Sequence, residues 1–387
     1  MSKLEECILG DLVEFQRGYD LPKSKFVEGK YPVQSSNGIL GYHNEYKVEG
    51  PGITIGRSGT VGTPHLIREN FFPHNTSLFV KEFKGNDIEY IYYLLQYLDL
   101  GNQKSGSGVP TMNRNHLHPI KIRAYRDKTY QQRTIKILSL IDKKIQINNQ
   151  INQELEAMAK TLYDYWFVQF DFPDQNGKPY KSSGGKMVYN PELKREIPEG
   201  WGVEKLENIA NITMGQSPKG TSYNEVGEGM LFFQGSTDFG WRFPVARQYT
   251  TEPSRIAEED DILLSVRAPV GTLNIADTRC CIGRGLAAIN SKVGANSYIF
   301  NVMQDFKKLF DMMNSVGTTF GSITKDDLYS LKLIYPPNEL LMKFDKSVNS
   351  FDREIKNRSR QNQELSQLRD WLLPMLMNGQ VKVEDKT

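Results

Sequence analysis

Histidine is the side chain that most readily performs acid–base or metal chemistry near neutral pH. The sequence has five of them, and all lie in its first half: His43, His65, His74, His116 and His118. The last two alternate along a predicted strand edge, so both could face one metal ion. Side chains that face solvent or a nucleic acid are the favoured alternative, and we predict no metal site.

Motifs of other catalytic classes are absent from the sequence. It contains no Walker A loop, no Asn-Pro-Pro-aromatic tetrad of methyltransferases, no Gly-x-Gly-x-x-Gly and no Gly-x-Ser-x-Gly elbow. Asp174 and Lys178 could be fitted to a nuclease pattern, but no strand is predicted before them. We therefore predict that the chain has no active site and no cofactor of its own.

Many polar side chains in glycine-rich loops are of the types that pair with base edges and phosphates. In the first half these are Arg17, Lys23, Lys25, Arg57, Ser58, His74, Asn75, Lys104, Ser107, Thr111, Asn113 and Arg114. In the second half they are Gln216, Lys219, Gln234, Ser236, Arg242, Arg267, Arg284, Thr318, Thr319 and Lys325. They are the candidate DNA-binding residues, and the alternative that many are ordinary polar loop residues stays open.

An internal repeat of about 210 residues organises these loops. Residues 53–63 match 262–272, and Asn152-Gln153-Glu154-Leu155 recurs as Asn362-Gln363-Glu364-Leu365. Gly18 and Gly215 occupy corresponding positions near the start of each copy. The second copy has no histidine, so a histidine-based active site would exist in one copy only. The chain is predicted to use one module twice.

Each copy ends in a predicted long helix, over 130–167 and 338–378. Apolar and amide residues recur there at spacings of four and three, which predicts a coiled-coil seam. The seam is polar in its middle, at Asn148 and Asn152 and at Arg358 and Asn362, and such residues specify register and partner. Two unrelated surface helices are the alternative, and the repeat argues against it.

Short β-branched and aromatic runs between glycine-rich turns predict an α+β fold for both modules. Residues 171–200, rich in Pro, Gly, Ser and Lys, are predicted to be a linker and not a core segment. The predicted boundaries are 1–128 and 201–336 for the modules, 129–168 and 337–378 for the helices, 169–200 for the linker and 379–387 for a tail.

Composition limits the class of protein without naming it. The net charge is only +2, so charge alone does not indicate a nucleic-acid binder. Three cysteines, two of them adjacent, cannot form a disulfide framework, and no apolar run has the length of a membrane span. We therefore expect a soluble, cytoplasmic protein.

Two copies of one module on a helical spacer suit a partner with two sites at a fixed distance, and double-helical DNA is such a partner.

Several motifs resemble the DNA-specificity subunit of type I restriction-modification systems. They are Tyr165-Trp166-Phe167 with Phe170-Asp171-Phe172-Pro173, the glycine- and lysine-rich run 177–187, Ile197-Pro198-Glu199-Gly200-Trp201 and Tyr335-Pro336-Pro337. The resemblance covers essentially the whole chain. The first module departs from it, since Arg123-Ala124-Tyr125-Arg126 lacks the Pro pair.

The resemblance implies two mixed α/β target-recognition domains with pseudo-twofold symmetry, each reading half of a split DNA sequence. Two long antiparallel helices would form a coiled coil that separates them as a ruler. It also implies partners: two adenine-N6 methyltransferase subunits that bring S-adenosylmethionine, and optionally two restriction/translocase subunits that bring ATP and magnesium. The target adenine would be flipped into the partner's pocket.

Two other functions stay open from the sequence. One is a stand-alone bivalent DNA-binding regulator without enzyme partners, and the other is a coiled-coil adaptor that binds protein at both ends. Salt-dependent binding to duplex DNA would separate the adaptor from the others. The bases that are read, the gap length and the presence of a restriction subunit cannot be deduced from the sequence.

Overall fold

The computed structural model describes residues 4–101, 112–315 and 321–381, except the side chains of 309 and 312–315. These residues form two compact units. Unit 1 comprises Met1–Ile147 with Asn362–Thr387, and unit 2 comprises Asn148–Gln361. Each unit contains one α+β module and parts of both long helices.

The first module and its helix contain nine strands and three α-helices among the described residues. In chain order they are β1 (Glu5–Ile8), β2 (Glu14–Arg17), β3 (Tyr31–Ser35), β4 (Gly38–His43), β5 (Gly52–Gly56), β6 (Pro64–Ile67), β7 (Phe72–Pro73), β8 (Ser77–Glu82), α1 (Ile88–Tyr97), α2 (Arg114–Leu117), β9 (Lys121–Ala124) and α3 (Lys128–Tyr163).

An antiparallel sheet of order β2-β8-β5-β6 forms the centre of the first module. All residues of β5 are buried, and its alternating Ile53 and Ile55 face a core shared with α1. Helix α1 begins at the Asp87 cap, whose carboxylate accepts the Tyr90 N–H at 3.1 Å, and its Tyr90, Ile91 and Leu94 are fully buried. Burial of one helix face against the sheet holds this module together.

The remaining elements form the second module and the C-terminal helix. They are β10 (Met187–Asn190), β11 (Arg195–Pro198), β12 (Gly202–Lys205), α4 (Leu206–Ile209), β13 (Ala210–Met214), β14 (Tyr223–Asn224), β15 (Met230–Phe233), β16 (Tyr249–Thr250), β17 (Ile256–Ala257), β18 (Ile262–Ser265), β19 (Leu273–Ile275), β20 (Cys280–Ile282), β21 (Leu286–Ser291), α5 (Asn296–Ser315), α6 (Lys325–Tyr329), β22 (Lys332–Tyr335) and α7 (Asn338–Met377).

The second module repeats the topology of the first. Its central sheet has the order β13-β21-β18-β19, the counterpart of β2-β8-β5-β6. The parallel pair β3 and β7 recurs as β15 and β20, and the antiparallel pair β1 and β9 recurs as β12 and β22. Even the turn after the buried strand is the same, because Gly62 and Gly271 both have φ of 86°. The predicted repeat and the α+β fold class are confirmed.

The two predicted long helices are present, and they pair within each unit. In unit 1, Arg369 of α7 contacts Asp142 of α3 at 3.0 Å. In unit 2, the Asn148 side-chain amide donates to Gln361 at 2.8 Å, and that of Asn152 donates to Ser359 at 3.3 Å. The residue numbers of the α7 partners decrease as those on α3 increase, so the two helices are antiparallel. Asn148 and Asn152 are buried, which confirms the polar middle of the seam.

The prediction that residues 171–200 are not a core segment holds for 173–196, where no residue is buried, and is wrong at the two ends of the segment. Helix α3 continues as a π-helical turn, Asp164–Val168, and the chain then buries Phe172 in the unit 2 core. The Phe172 ring stacks on Trp201 with centroids 5.1 Å apart, and Ile197 is buried on strand β11. Burial of aromatic surface fixes this segment although its composition is that of a linker.

Candidate nucleic-acid interface

Four chain segments of the first module meet at one place, and we call them the first loop cluster: 17–19, 34–37, 56–58 and 74–77. Backbone hydrogen bonds join them. The Gly18 N–H donates to the Ser77 carbonyl at 3.0 Å, and the His74 N–H donates to the Gln34 carbonyl at 2.8 Å. The Arg57 N–H donates to the Thr76 carbonyl at 2.8 Å. Arg17, Arg57, Ser58, His74 and Asn75 are thereby brought together.

The second loop cluster consists of 215–217, 234–235, 265–267 and 283–285. The Gly215 N–H donates to the Leu286 carbonyl at 2.9 Å, and the Gly283 N–H donates to the Phe233 carbonyl at 2.8 Å. These bonds are the counterparts of the Gly18 and His74 bonds in the first cluster. Four predicted residues are brought together in this cluster, namely Gln216, Gln234, Arg267 and Arg284.

Two glycines show why both clusters are so compact. A Cβ on Gly18 would lie 2.1 Å from the His74 carbonyl oxygen, and one on Gly215 would lie 2.1 Å from the Gly283 carbonyl oxygen. Neither distance is possible for a real side chain, so only glycine allows these backbones to meet. Gly18 and Gly215, which occupy corresponding positions in the repeat, are therefore required for the close packing of the loops.

Charge differs between the clusters. Asp20 accepts a hydrogen bond from the Asn75 side chain and contacts Arg17 at 2.9 Å. The Asn75 hydrogen bond, with help from Arg17, lowers the pKa of Asp20, so its carboxylate is charged at neutral pH. Sequence analysis missed Asp20, although its spacing of three residues from Arg17 was a usable signal.

Arg267 and Arg284 of the second cluster are exposed. Within the part of the chain that the structure describes, neither side chain has a carboxylate partner within ion-pair distance. Ser217 ties the cluster instead, because its hydroxyl donates to the Gln234 side-chain oxygen at 3.0 Å and accepts the Arg284 N–H at 3.4 Å. The guanidinium groups are therefore available to a ligand.

Most of the other predicted residues that the structure describes are exposed and lie outside the two loop clusters. Lys23 and Lys25 lie on an exposed 3-10 turn, and Ser236 begins another. Lys219 is exposed and lies 3.9 Å from Glu252, and Lys325 covers the Tyr329 ring at 5.0 Å. Asn113 caps α2, which begins at the exposed Arg114. Outside the described residues are Lys104, Ser107, Thr111, Thr318 and Thr319. For all of these residues, DNA contact stays a prediction.

The prediction that Arg242 binds DNA is wrong. Its side chain is only 6% exposed and lies between two carboxylates, 3.2 Å from Glu156 and 2.7 Å from Asp352. The guanidinium carbon is also 3.9 Å from the centre of the Phe300 ring. Glu156 is on α3 and Asp352 on α7, so this arginine points at the helices and not at a ligand.

The predicted strand edge at His116 and His118 is also wrong. His116 lies on the short helix α2 and His118 is its C-cap. The His118 Nε2 accepts the Phe15 N–H at 3.0 Å, and burial lowers the pKa of this histidine, which keeps the ring neutral. In the described ranges, no three histidine, cysteine or carboxylate side chains are placed to share a metal ion. His118 therefore supports the backbone of β2.

Among the described residues, no helix combines the length and apolar character that crossing a membrane requires.

The chain repeats one α+β module, and each copy has a cluster of polar loops supported by glycine and is attached to paired long helices. This architecture defines a class of protein that presents two related recognition surfaces. The sequence profile of the type I restriction modification DNA specificity domain matches residues 1–157 and 198–367. The chain therefore belongs to the family of DNA specificity subunits of type I restriction-modification systems. The resemblance inferred from the sequence motifs is confirmed.

Individual relatives agree with the family. The chain is 32% identical over 328 residues to a putative type I restriction enzyme MjaX specificity subunit of Methanocaldococcus jannaschii, covering 82% of this chain and 74% of the relative. It is 27% identical to the MjaIX specificity subunit of the same organism, covering 77% and 70%. The crystal structure of a type I S subunit from M. genitalium superimposes with a TM-score of 0.60 at 17% identity, covering 100% and 97%. That structure supports the fold.

Proposed function

We propose that each loop cluster reads one half of a split DNA sequence and that the paired helices set the gap between the halves. The observation that carries the proposal is the shared backbone frame of the two clusters, in which matching glycines bring loops with different side chains together. Exposed arginine and amide groups in such loops suit base edges and phosphates. Different side chains on the same frame suit two unlike half-sequences.

The partners in this proposal are two adenine methyltransferase subunits that bring S-adenosylmethionine. Two restriction/translocase subunits with ATP and magnesium would join where cleavage occurs. Methyl transfer and cleavage would then belong to these subunits, and the chain's own residues would bind and orient the DNA. The cytoplasm is where such a complex meets its DNA. The family membership of the chain supports this division of labour.

Module exchange tests the proposal directly. Residues 201–335 are replaced by the matching module of a relative, and the chimera is expressed with the methyltransferase in cells whose DNA is then sequenced for N6-methyladenine. One half of the methylated sequence should change while the other half stays the same. The purified chain without methyltransferase is the control and should transfer no methyl group. If both halves changed together, the modules would not be independent readers.

A further inference from the structure

Arg242 ties the second module to both long helices at one point within unit 2. Its Nη1 lies 3.2 Å from the Glu156 carboxylate of α3, and its Nη2 lies 2.7 Å from the Asp352 carboxylate of α7. The Phe300 ring of the module covers the guanidinium face at 3.9 Å. A planar guanidinium can meet two carboxylates and a ring at once, which an ammonium group cannot do.

The loop that carries Arg242 is itself rigidly attached to the sheet of the module. Asn274 of β19 is almost fully buried, and its amide donates to the Gly240 carbonyl at 3.0 Å and accepts the Gly240 N–H at 3.1 Å. The Ile275 N–H donates to the Arg242 carbonyl at 2.9 Å. A displacement of the sheet would therefore move the guanidinium, and the helices would have to move with it.

Charged side chains surround an opening in the packing at this point. A cavity of about 220 Å³ borders Arg242 and is lined by apolar side chains of the module, such as Phe300, and by charged and amide side chains that include Asp345, Asn349 and Lys356. Asp352 also accepts the Ser297 hydroxyl at 2.7 Å from the start of α5. The unit 2 core packs Phe344 and Val348 of α7 against the module, and the Arg242 contacts act beside it, where the cavity interrupts that packing.

The other charged contacts between this module and α7 are more exposed. Arg360 contacts Asp277 at 3.0 Å with 44% of its side chain exposed, and Lys356, 14% exposed, contacts Asp260, 61% exposed, at 2.6 Å. Exposed ion pairs are screened by water and fix geometry weakly. In unit 1 the matching carboxylate Asp142 is met by Arg369 of α7 at 3.0 Å and accepts the Tyr93 hydroxyl of the first module at 2.6 Å, so a neutral hydroxyl takes the place of the module's guanidinium there.

We propose that Arg242 is a positioning residue that fixes the angle of the second module on the helices and thereby the length of the gap in the DNA target. This inference rests on the proposed reading of a split sequence. Arg242 has this role without contacting the DNA. Its loss should leave both half-sequences intact and allow gaps that are one base pair longer or shorter.

The experiment compares Arg242→Met and Arg242→Lys with the unchanged chain, each in complex with the methyltransferase. Methionine keeps the apolar length of the side chain, and lysine keeps the charge without the planar fork. Arg279→Ala is the matched control, because it removes an arginine of the same module whose ion pair with Glu258 is exposed on both sides. Thermal unfolding establishes that each variant is folded, and binding to duplexes with shortened, normal and lengthened gaps is measured.

If Arg242→Met fails to fold, the triple variant Arg242→Met, Glu156→Gln, Asp352→Asn takes its place. It removes the carboxylate charges that would otherwise be left without a partner. In the folded variant, discrimination between gap lengths should fall by about tenfold, and Arg242→Lys should lie between it and the unchanged chain. Sequencing of methylated DNA should show the same half-sequences separated by more than one gap length.

A folded Arg242→Met or triple variant that keeps the strict gap would overturn the inference, as would a folded Arg242→Lys variant with no relaxation. A change in either half-sequence would overturn it as well, because that result means a contact with bases. Failure of the proposed function has a different signature. In that case the unchanged chain with its methyltransferase would show no split methylated sequence at all.

Discussion

The two modules share a backbone frame and differ in the side chains that attach them to the long helices. Gly18 and Gly215 allow the same close approach, and the carbonyls that they meet belong to equivalent residues. The second module sends Arg242 to both helices, whereas in unit 1 the equivalent carboxylate Asp142 is met by Arg369 of α7 and by the Tyr93 hydroxyl of the first module. Backbone geometry has therefore been kept between the copies, while long-range side-chain contacts have diverged.

The clusters also differ in charge. Asp20 holds Arg17 and Asn75 in the first cluster, whereas Arg267 and Arg284 of the second are exposed. An arginine held by a carboxylate presents fewer free donors than an unpaired one. The same backbone frame therefore presents two chemically distinct surfaces in the two modules.

The largest effect is expected from lengthening both helices, because this change acts on the two modules together. Seven residues inserted after Asn148 and seven after Arg358 keep the heptad seam and add about 10 Å to each helix. At 3.4 Å per base pair, the gap in the methylated sequence should lengthen by about two to three base pairs. Sequencing of methylated DNA measures the gap. An unchanged gap with full activity would show that the helices do not set it.

Glycine substitution should damage one module at a time. Gly18→Ala and Gly215→Ala each place a methyl group 2.1 Å from a backbone carbonyl oxygen, so one loop must move. We expect a loss of about 1–3 kcal/mol in the free energy of unfolding and loss of specificity in one half of the sequence. Denaturant unfolding and DNA binding measure the two effects.

Gly220→Ala is the control for these variants, since no atom lies within 4 Å of its added Cβ. It should change stability by less than about 0.5 kcal/mol. If Gly18→Ala unfolded no more readily than Gly220→Ala and read the same sequence, the close approach would not be needed.

Removal of an exposed arginine should have a smaller and more local effect. Arg267→Ala or Arg284→Ala should relax one base position by about 1–3 kcal/mol if the side chain reads a base. Binding to a panel of duplexes with single substitutions measures the change, with Arg279→Ala as the control. Equal weakening for every duplex would instead identify a phosphate contact.

The smallest effect is expected from Asp20→Asn in the first cluster. The substitution removes a negative charge and releases Arg17 and Asn75 from it. Affinity for any duplex should rise modestly at low salt, and the gain should fade as salt increases, because the charge is exposed and screened. Fluorescence anisotropy at several salt concentrations measures it. Glu45→Gln, which removes an exposed acid paired with Lys47, is the control, and an equal gain there would mean that only net charge matters.

Much of the fold could be predicted because it depends on local pattern. The repeat, the buried strands around Ile53 and Ile262 and the polar seam at Asn148 all follow from spacing along the chain. Arg242 could not be predicted, because its partners Glu156 and Asp352 lie 86 and 110 residues away in sequence. Its position in a polar loop favoured the prediction of a ligand contact. Only the packed structure shows that the guanidinium lies between the two carboxylates.

Composition misled the prediction for the segment after α3. Residues 171–200 are rich in Pro, Gly, Ser and Lys, but Phe172 and Ile197 near the two ends of the segment are buried. The aromatic residues from Tyr165 to Phe172 were the available signal, since such a density of rings is seldom left in water. The strand predicted at His116 failed for a related reason, because an Asn113 cap starts a helix there.

The backbone bonds that join each loop cluster have an evolutionary consequence. Because main-chain groups and glycines make the frame, the side chains on its outer surface contribute little to folding. Point substitutions there can alter which DNA is selected without threatening the scaffold that presents them. A host could thus acquire a new pattern of protected sites through a few codon changes within one copy, while the other copy continues to read its half.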